Sequence, residues 1–147
     1  MICSTCPTFG SGGNGEWFRR DGGKATVDAP GWLEKIGLDA YEYEAGRGLT
    51  AGEETLRAIG EKAAAHHILL SLHTPYFISL SSPEREKRDN SILYIQRSLR
   101  AAEWLGADTI VIHSGSAGKQ SRDEAMRLSL DTLSRLMETD YQGKTEA

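Results

Sequence analysis

The chain has 147 residues, 39% of them hydrophobic and 26% charged, with a formal net charge of −4. That is the profile of one soluble domain able to bury a real core, and it excludes disordered and fibrous classes. No apolar run approaches the roughly 20 residues of a membrane helix, nothing resembles a signal peptide, and a cytoplasmic protein without a membrane partner is expected. No long basic run marks an electrostatic grip on nucleic acid, although Arg19-Arg20, Arg47 and the Arg85, Lys87, Arg88 group could form a local basic rim.

In chain order, Cys3 and Cys6 form a C-x-x-C pair. A redox site would place such a pair at a helix entrance after a strand, and a structural zinc would need a second ligand pair, so they read as ordinary residues of a first strand near 2–9. Gly10-Ser11-Gly12-Gly13-Asn14-Gly15 spells G-x-G-x-x-G. With no apolar-periodic helix behind it, the run reads as a loop instead of a dinucleotide site. Asp28 then caps a helix with Pro30 in its first turn, an apolar stripe of Trp32, Leu33 and Ile36, and Gly37 as the stop.

A tyrosine-rich second strand spans 38–45, and Arg47-Gly48 leave it. Thr50-Ala51-Gly52-Glu53 spells a capping box, with Leu56, Ile59 and Ala63 at helical spacing up to about His66. The third strand, 68–73, ends in His73. Ser82-Pro83-Glu84 opens the longest helix, whose stripe is Ile92, Ile95, Leu99 and Ala102 and whose stop is Gly106. The fourth strand, 109–113, ends in His113. Ser121 to Glu124 spells another capping box, with Met126, Leu130, Leu133 and Met137 as the inward face of the last helix.

The alternation of strands and helices predicts right-handed crossovers and a parallel sheet. Two arrangements compete: the N-terminal half of a TIM barrel, with residues 1–147 as a partial barrel domain, and a small doubly wound sheet. A whole barrel needs about 250 residues. In the half barrel, the apolar side chains of the interior lack a partner layer and the first and fourth strands are open edges, so self-association is expected. His73 and His113, at neighbouring strand ends, suggest a shared metal centre. The alternative is a pair of packing histidines.

Gly37-Leu38-Asp39-Ala40-Tyr41-Glu42-Tyr43, His73-Thr74-Pro75-Tyr76 and Ile112-His113-Ser114-Gly115-Ser116 together resemble the endonuclease IV family of apurinic-site endonucleases, within the xylose-isomerase-like TIM barrels. The likeness runs in order from about Phe9. It implies that His73 and His113 are ligands in a zinc cluster, with manganese or another divalent metal as the alternative. Tyr76, Arg47 and Ser114 would approach the substrate DNA. The chain departs from the family in reading His113-Ser114-Gly115 where members read H-P-G, and in lacking an asparagine near Ser79. The family's ligands from later strands have no counterpart, and Glu146 precedes any fifth strand.

The implied activity is metal-dependent phosphodiester cleavage at abasic sites, complete only in the whole barrel. Clustered zinc would supply a hydroxide near neutral pH and relieve charge on phosphorus. A sugar isomerase or epimerase of the same fold would use similar ligands, and a catalytically incomplete fragment is the third reading.

Overall fold

The computed structural model describes residues 7–139. Four strands, β1 (Gly10–Gly12), β2 (Ala40–Glu44), β3 (Leu69–His73) and β4 (Thr109–Val111), form one parallel sheet in the order β1-β2-β3-β4. The helices between and after them are α1 (Glu16–Arg20), α2 (Ala29–Lys35, entered from a 3-10 turn at Thr26–Asp28), α3 (Glu53–Ala65), α4 (Arg85–Leu105) and α5 (Arg122–Met137).

Strand order decides between the two arrangements. Successive right-handed crossovers that never reverse direction lay every helix on the same side of the sheet, whereas a doubly wound sheet reverses order and has helices on both faces. This is half of a β/α barrel. Leu70, Leu72, Tyr41 and Ile110 are buried toward the helices, where Leu33, Leu56, Ile59, Ile95, Leu99 and Leu105 complete the core.

The other face holds Ala40, Glu42 and Glu44 of β2 in register with Leu69, Ser71 and His73 of β3, and Thr109 and Val111 of β4. Leu69 is its one large aliphatic side chain from β2 and β3 and is 42% exposed. The expected bare apolar interior is therefore corrected to a largely polar surface, because alternation sends the glutamates of Ala40-Tyr41-Glu42-Tyr43-Glu44 to one side and the tyrosines to the other.

Among the described residues the first strand is Gly10–Gly12, later than the expected span. Of the span 2–9, residues 2–6, with both cysteines, fall outside the described residues, as does Glu146, and residues 7–9 precede the strand. The start of the run expected as a loop pairs with β2 instead. A Cβ on Gly10 would sit 2.1 Å from the Ala40 carbonyl oxygen, so only glycine permits this approach of β1 to β2.

Three helices hand over to their strands alike. Leu38 N–H donates to Leu33 O, Ile68 N–H to Ala63 O and Ala107 N–H to Ala102 O, each around a residue of positive φ: Gly37, His67 and Gly106. The glycines announce their stops; His67, with φ 56°, does not.

Several local expectations are corrected. Asp28 precedes α2, but its carboxylate accepts from Ala25 N–H in the preceding turn. Gly52, not Thr50, flanks α3, so that capping box does not form. Ser82 accepts from Glu84 N–H, and α4 starts at Arg85. Ser121 does cap α5, accepting from Glu124 N–H at 3.2 Å. Ile36 is exposed past the end of α2.

The largest correction is the orientation of α5. Ala125, Leu128, Thr132 and Leu136 are buried, whereas Met126, Leu130 and Met137 are 55%, 61% and 81% exposed. Of the expected stripe, Leu133 packs against the core; on the buried face Thr132 Oγ1 lies within hydrogen-bond distance of Leu80 O, at 2.9 Å, and of Leu128 O, at 2.8 Å. Arg135 of α5 also pairs with Asp89 of α4 and reaches Asp131. The Arg135 guanidinium, hydrogen-bonded to the Asp89 carboxylate, holds that carboxyl below its ordinary value.

Candidate functional site

Parallel strands deliver their carboxyl ends to one rim, and His73 is the last residue of β3. It is buried, 8% exposed. β4 ends at Val111, two residues before the expected boundary, so His113 stands exposed in the exit loop. The loop turns its ring back toward β3. His73 Nε2 and His113 Nε2 are 2.9 Å apart, with ring centroids 4.9 Å apart and planes tilted by 43°.

Hydrogen bonding fixes which nitrogens are free. His73 Nδ1 lies 2.9 Å from Thr74 O, and because a carbonyl only accepts, Nδ1 carries the proton, which in a neutral ring leaves the lone pair on Nε2. His113 Nε2–H is then the donor between the rings. Zinc bonded to two nitrogens at 2.0–2.1 Å in a tetrahedral site holds them about 3.3 Å apart. An opening of a few tenths of an ångström, with the His113 proton moved to Nδ1, turns this hydrogen-bonded pair into a two-nitrogen ligand set. The donor chemistry thus fits a divalent metal, as part of a site. Among the described residues no group of three or more His, Cys, Asp or Glu is placed to hold a metal ion.

The rim is built by two neighbouring loops. Tyr76, 67% exposed, meets the His73 ring edge-on at 5.4 Å and donates its N–H to Gly46 O at 3.1 Å. Its ring lies against Gly46, where a Cβ would come within 2.4 Å of it. Arg47, the next residue, is exposed in the turn after β2. The structure thereby brings His73, His113, Tyr76 and the Arg47 backbone to one mouth. Ser114 follows His113 but lines a different space, a cavity of about 460 Å³ shared with Ser81, Gly115, Ser116, Met126 and Leu130.

Sequence reasoning missed three residues here. Phe77, 50% exposed, stands beside Tyr76 and packs edge-on against Tyr94 at 4.6 Å; two adjacent aromatics in a polar loop were its signal. Glu42 and Glu44 lie on the inner face, and Glu42 Oε2 accepts from Ser71 Oγ at 3.0 Å. Period-two alternation in β2 was theirs. Beneath them, Tyr41 donates to Asn14 Oδ1 at 3.0 Å, and burial pushes its hydroxyl pKa well up, so it stays neutral.

Comparison with known proteins adds three findings. The model of the xylose isomerase-like TIM barrel family matches residues 30–141. Among curated relatives, a probable endonuclease 4 of Natranaerobius thermophilus is 33% identical over 69 residues, covering 47% of this chain and 24% of that protein. An uncharacterized protein of Methanocaldococcus jannaschii is 27% identical over 106 residues, 72% of this chain and 38% of that one. The chain thus spans well under half the length of these relatives. Among solved structures, a D-psicose 3-epimerase in the presence of D-fructose superposes with a TM-score of 0.68 at 16% identity, over 88% of this chain and 47% of that one. Endonuclease IV from Thermus thermophilus gives 0.56 at 21% identity, over 90% and 48%. At these identities the structural likeness shows the fold alone.

Proposed function

The chain belongs to the xylose isomerase-like TIM barrel family, and from that premise we propose that it contributes to a metal-dependent phosphodiesterase cleaving DNA at abasic sites. The observation that carries this reading is the convergence of His73 Nε2 and His113 Nε2, 2.9 Å apart, at the carboxyl-end rim of adjacent strands. The relatives named endonuclease 4 support the choice of substrate.

In this reading His73 and His113 hold zinc, or manganese in its place, alongside ligands from outside the described residues. Bound metal would supply the hydroxide and the charge relief that phosphodiester cleavage requires. The chain's own residues do the rest. His73 Nδ1–H stays on the Thr74 carbonyl and fixes the ring, so no ligand reorientation is needed when substrate arrives. Tyr76 and Phe77 present exposed rings on which an unstacked base can rest, and such stacking is worth about 1–3 kcal/mol per base. Arg47 offers a guanidinium to the phosphate backbone. Ser114, next to His113 in the chain, would meet the substrate from the neighbouring cavity that it lines. The reading places the protein in the cytoplasm, and it includes self-association through the β1 and β4 edges. Among the described residues no helix is long and apolar enough to cross a membrane.

A sugar isomerase or epimerase is the second reading, favoured by one observation. The inner face of the strands carries Glu42, Glu44 and Ser71 and neither Lys nor Arg, which suits hydroxyl-rich ligands better than a phosphate. A catalytically incomplete chain is the third. Elemental analysis of purified protein, with parallel assays of abasic-site nicking and ketose epimerisation on this chain and on any longer natural form, separates them. Bound zinc with nicking is expected; epimerisation without nicking, or neither activity in the longest form, overturns the proposal.

A further inference from the structure

Between the strand ends that carry the histidine pair lies a residue hydrogen-bonded to both of them. Thr74 is 1% exposed. Its N–H and its hydroxyl both donate to Val111 O, at 3.0 and 2.8 Å, so one carbonyl of β4 anchors it twice. Its own carbonyl accepts from His73 Nδ1 at 2.9 Å. Val111 is two residues from His113 and is the strand partner of His73. Thr74 therefore ties the chain leaving one histidine to the chain approaching the other. The residue before a proline is confined to extended backbone, so Pro75 restricts the direction of the Thr74 carbonyl as well.

We propose that Thr74 is the positioning residue of this pair: its hydroxyl, held on Val111 O, aims the Thr74 carbonyl at His73 Nδ1, locks the Nδ1–H tautomer and turns Nε2 toward His113. The inference rests on the metal reading of the histidines for its consequence, though not for its geometry. An imidazole left to choose its tautomer spends part of its time with Nε2 protonated and unable to ligate, and residues that orient ligating histidines affect metal affinity by about 10- to 100-fold.

The experiment compares Thr74→Val, which keeps the shape and the N–H anchor but removes the hydroxyl, with Thr74→Ser, which restores it. Imidazole ¹⁵N NMR without metal reads the His73 tautomer, and titration with zinc alone reads affinity. Expected are a fixed Nδ1–H tautomer in the wild type and Thr74→Ser, mixed tautomers in Thr74→Val, and zinc binding about tenfold or more weaker in Thr74→Val only. Unchanged tautomer and affinity in Thr74→Val overturn the proposal. Equal impairment in both variants also overturns it, since that would be a packing effect. If Thr74→Val does not fold, Thr74→Ala is read by the same criteria. If the wild type takes up no zinc, the tautomer arm still decides the role of Thr74, and the metal reading alone falls.

Discussion

The two faces of the same four strands differ in kind. On the helix side Leu70, Leu72 and Ile110 are buried against α3 and α4; one residue along, Leu69, Ser71 and Thr109 look out over a polar surface that ends at the histidines. Neighbours in sequence thus answer to different demands. Burial of apolar area, at about 25 cal/mol per Å², rewards shape and volume on one face. The other face contributes little to stability and is free to carry chemistry.

The sharpest way to break this comparison is to substitute adjacent residues. Leu72→Ala, at a position 0% exposed, should cost about 2–5 kcal/mol in denaturant unfolding, because the deleted methyls leave a cavity. Ser71→Ala should cost under about 1 kcal/mol, the scale of its single hydrogen bond to Glu42. Similar costs for both would refute the division of labour.

The same logic sharpens the placement of α5. Leu128→Ala, at a buried position, should lose about 2–4 kcal/mol, whereas Leu130→Ala, 61% exposed, should stay within about 0.5 kcal/mol. Thermal melts of the two at low protein concentration check this. If Leu130 proves the costlier, the exposed stripe is covered in solution.

On the polar face the effect should appear in binding. His113→Ala should weaken zinc affinity at least tenfold, about 1.4 kcal/mol, with little change in melting temperature. Wild-type affinity should itself fall as pH falls, since a protonated imidazole cannot ligate. Isothermal titration at several pH values tests both, and equal zinc binding by wild type and variant would remove His113 from the site.

The smallest effect lies between helices. Asp89 is held below its ordinary carboxyl value by the hydrogen bond from Arg135. A depressed folded-state value means its contribution is present above the unfolded pKa, roughly 3.9, and is lost as pH falls through the lower folded value. Asp89→Asn should therefore lower stability slightly at neutral pH and leave it unchanged below the folded-state pKa, so that the acid limb of the stability-against-pH curve is shallower. An unchanged acid limb would show that the pair stabilises nothing.

From the sequence alone came the β/α alternation, the carboxyl-end placement of His73, the glycine stops at Gly37 and Gly106, and the Ser121 cap. Each is a local signal: hydrophobic period, glycine freedom or a side chain reaching its own backbone. The endonuclease IV resemblance added the family and the expectation of a metal. Tertiary structure alone decided the rest. It chose the half barrel over the doubly wound sheet, since strand order depends on contacts between segments about thirty or more residues apart. It rotated α5 to bury Ala125, Leu128, Thr132 and Leu136 and to leave Met126, Leu130 and Met137 exposed, a choice between faces that helical spacing alone does not make. It placed a strand in the glycine run because Ala40 leaves no room for a Cβ. Above all it closed the distance between His73 and His113, forty residues apart in the chain, through a carbonyl at Thr74 and an anchor at Val111 that no one-dimensional pattern records.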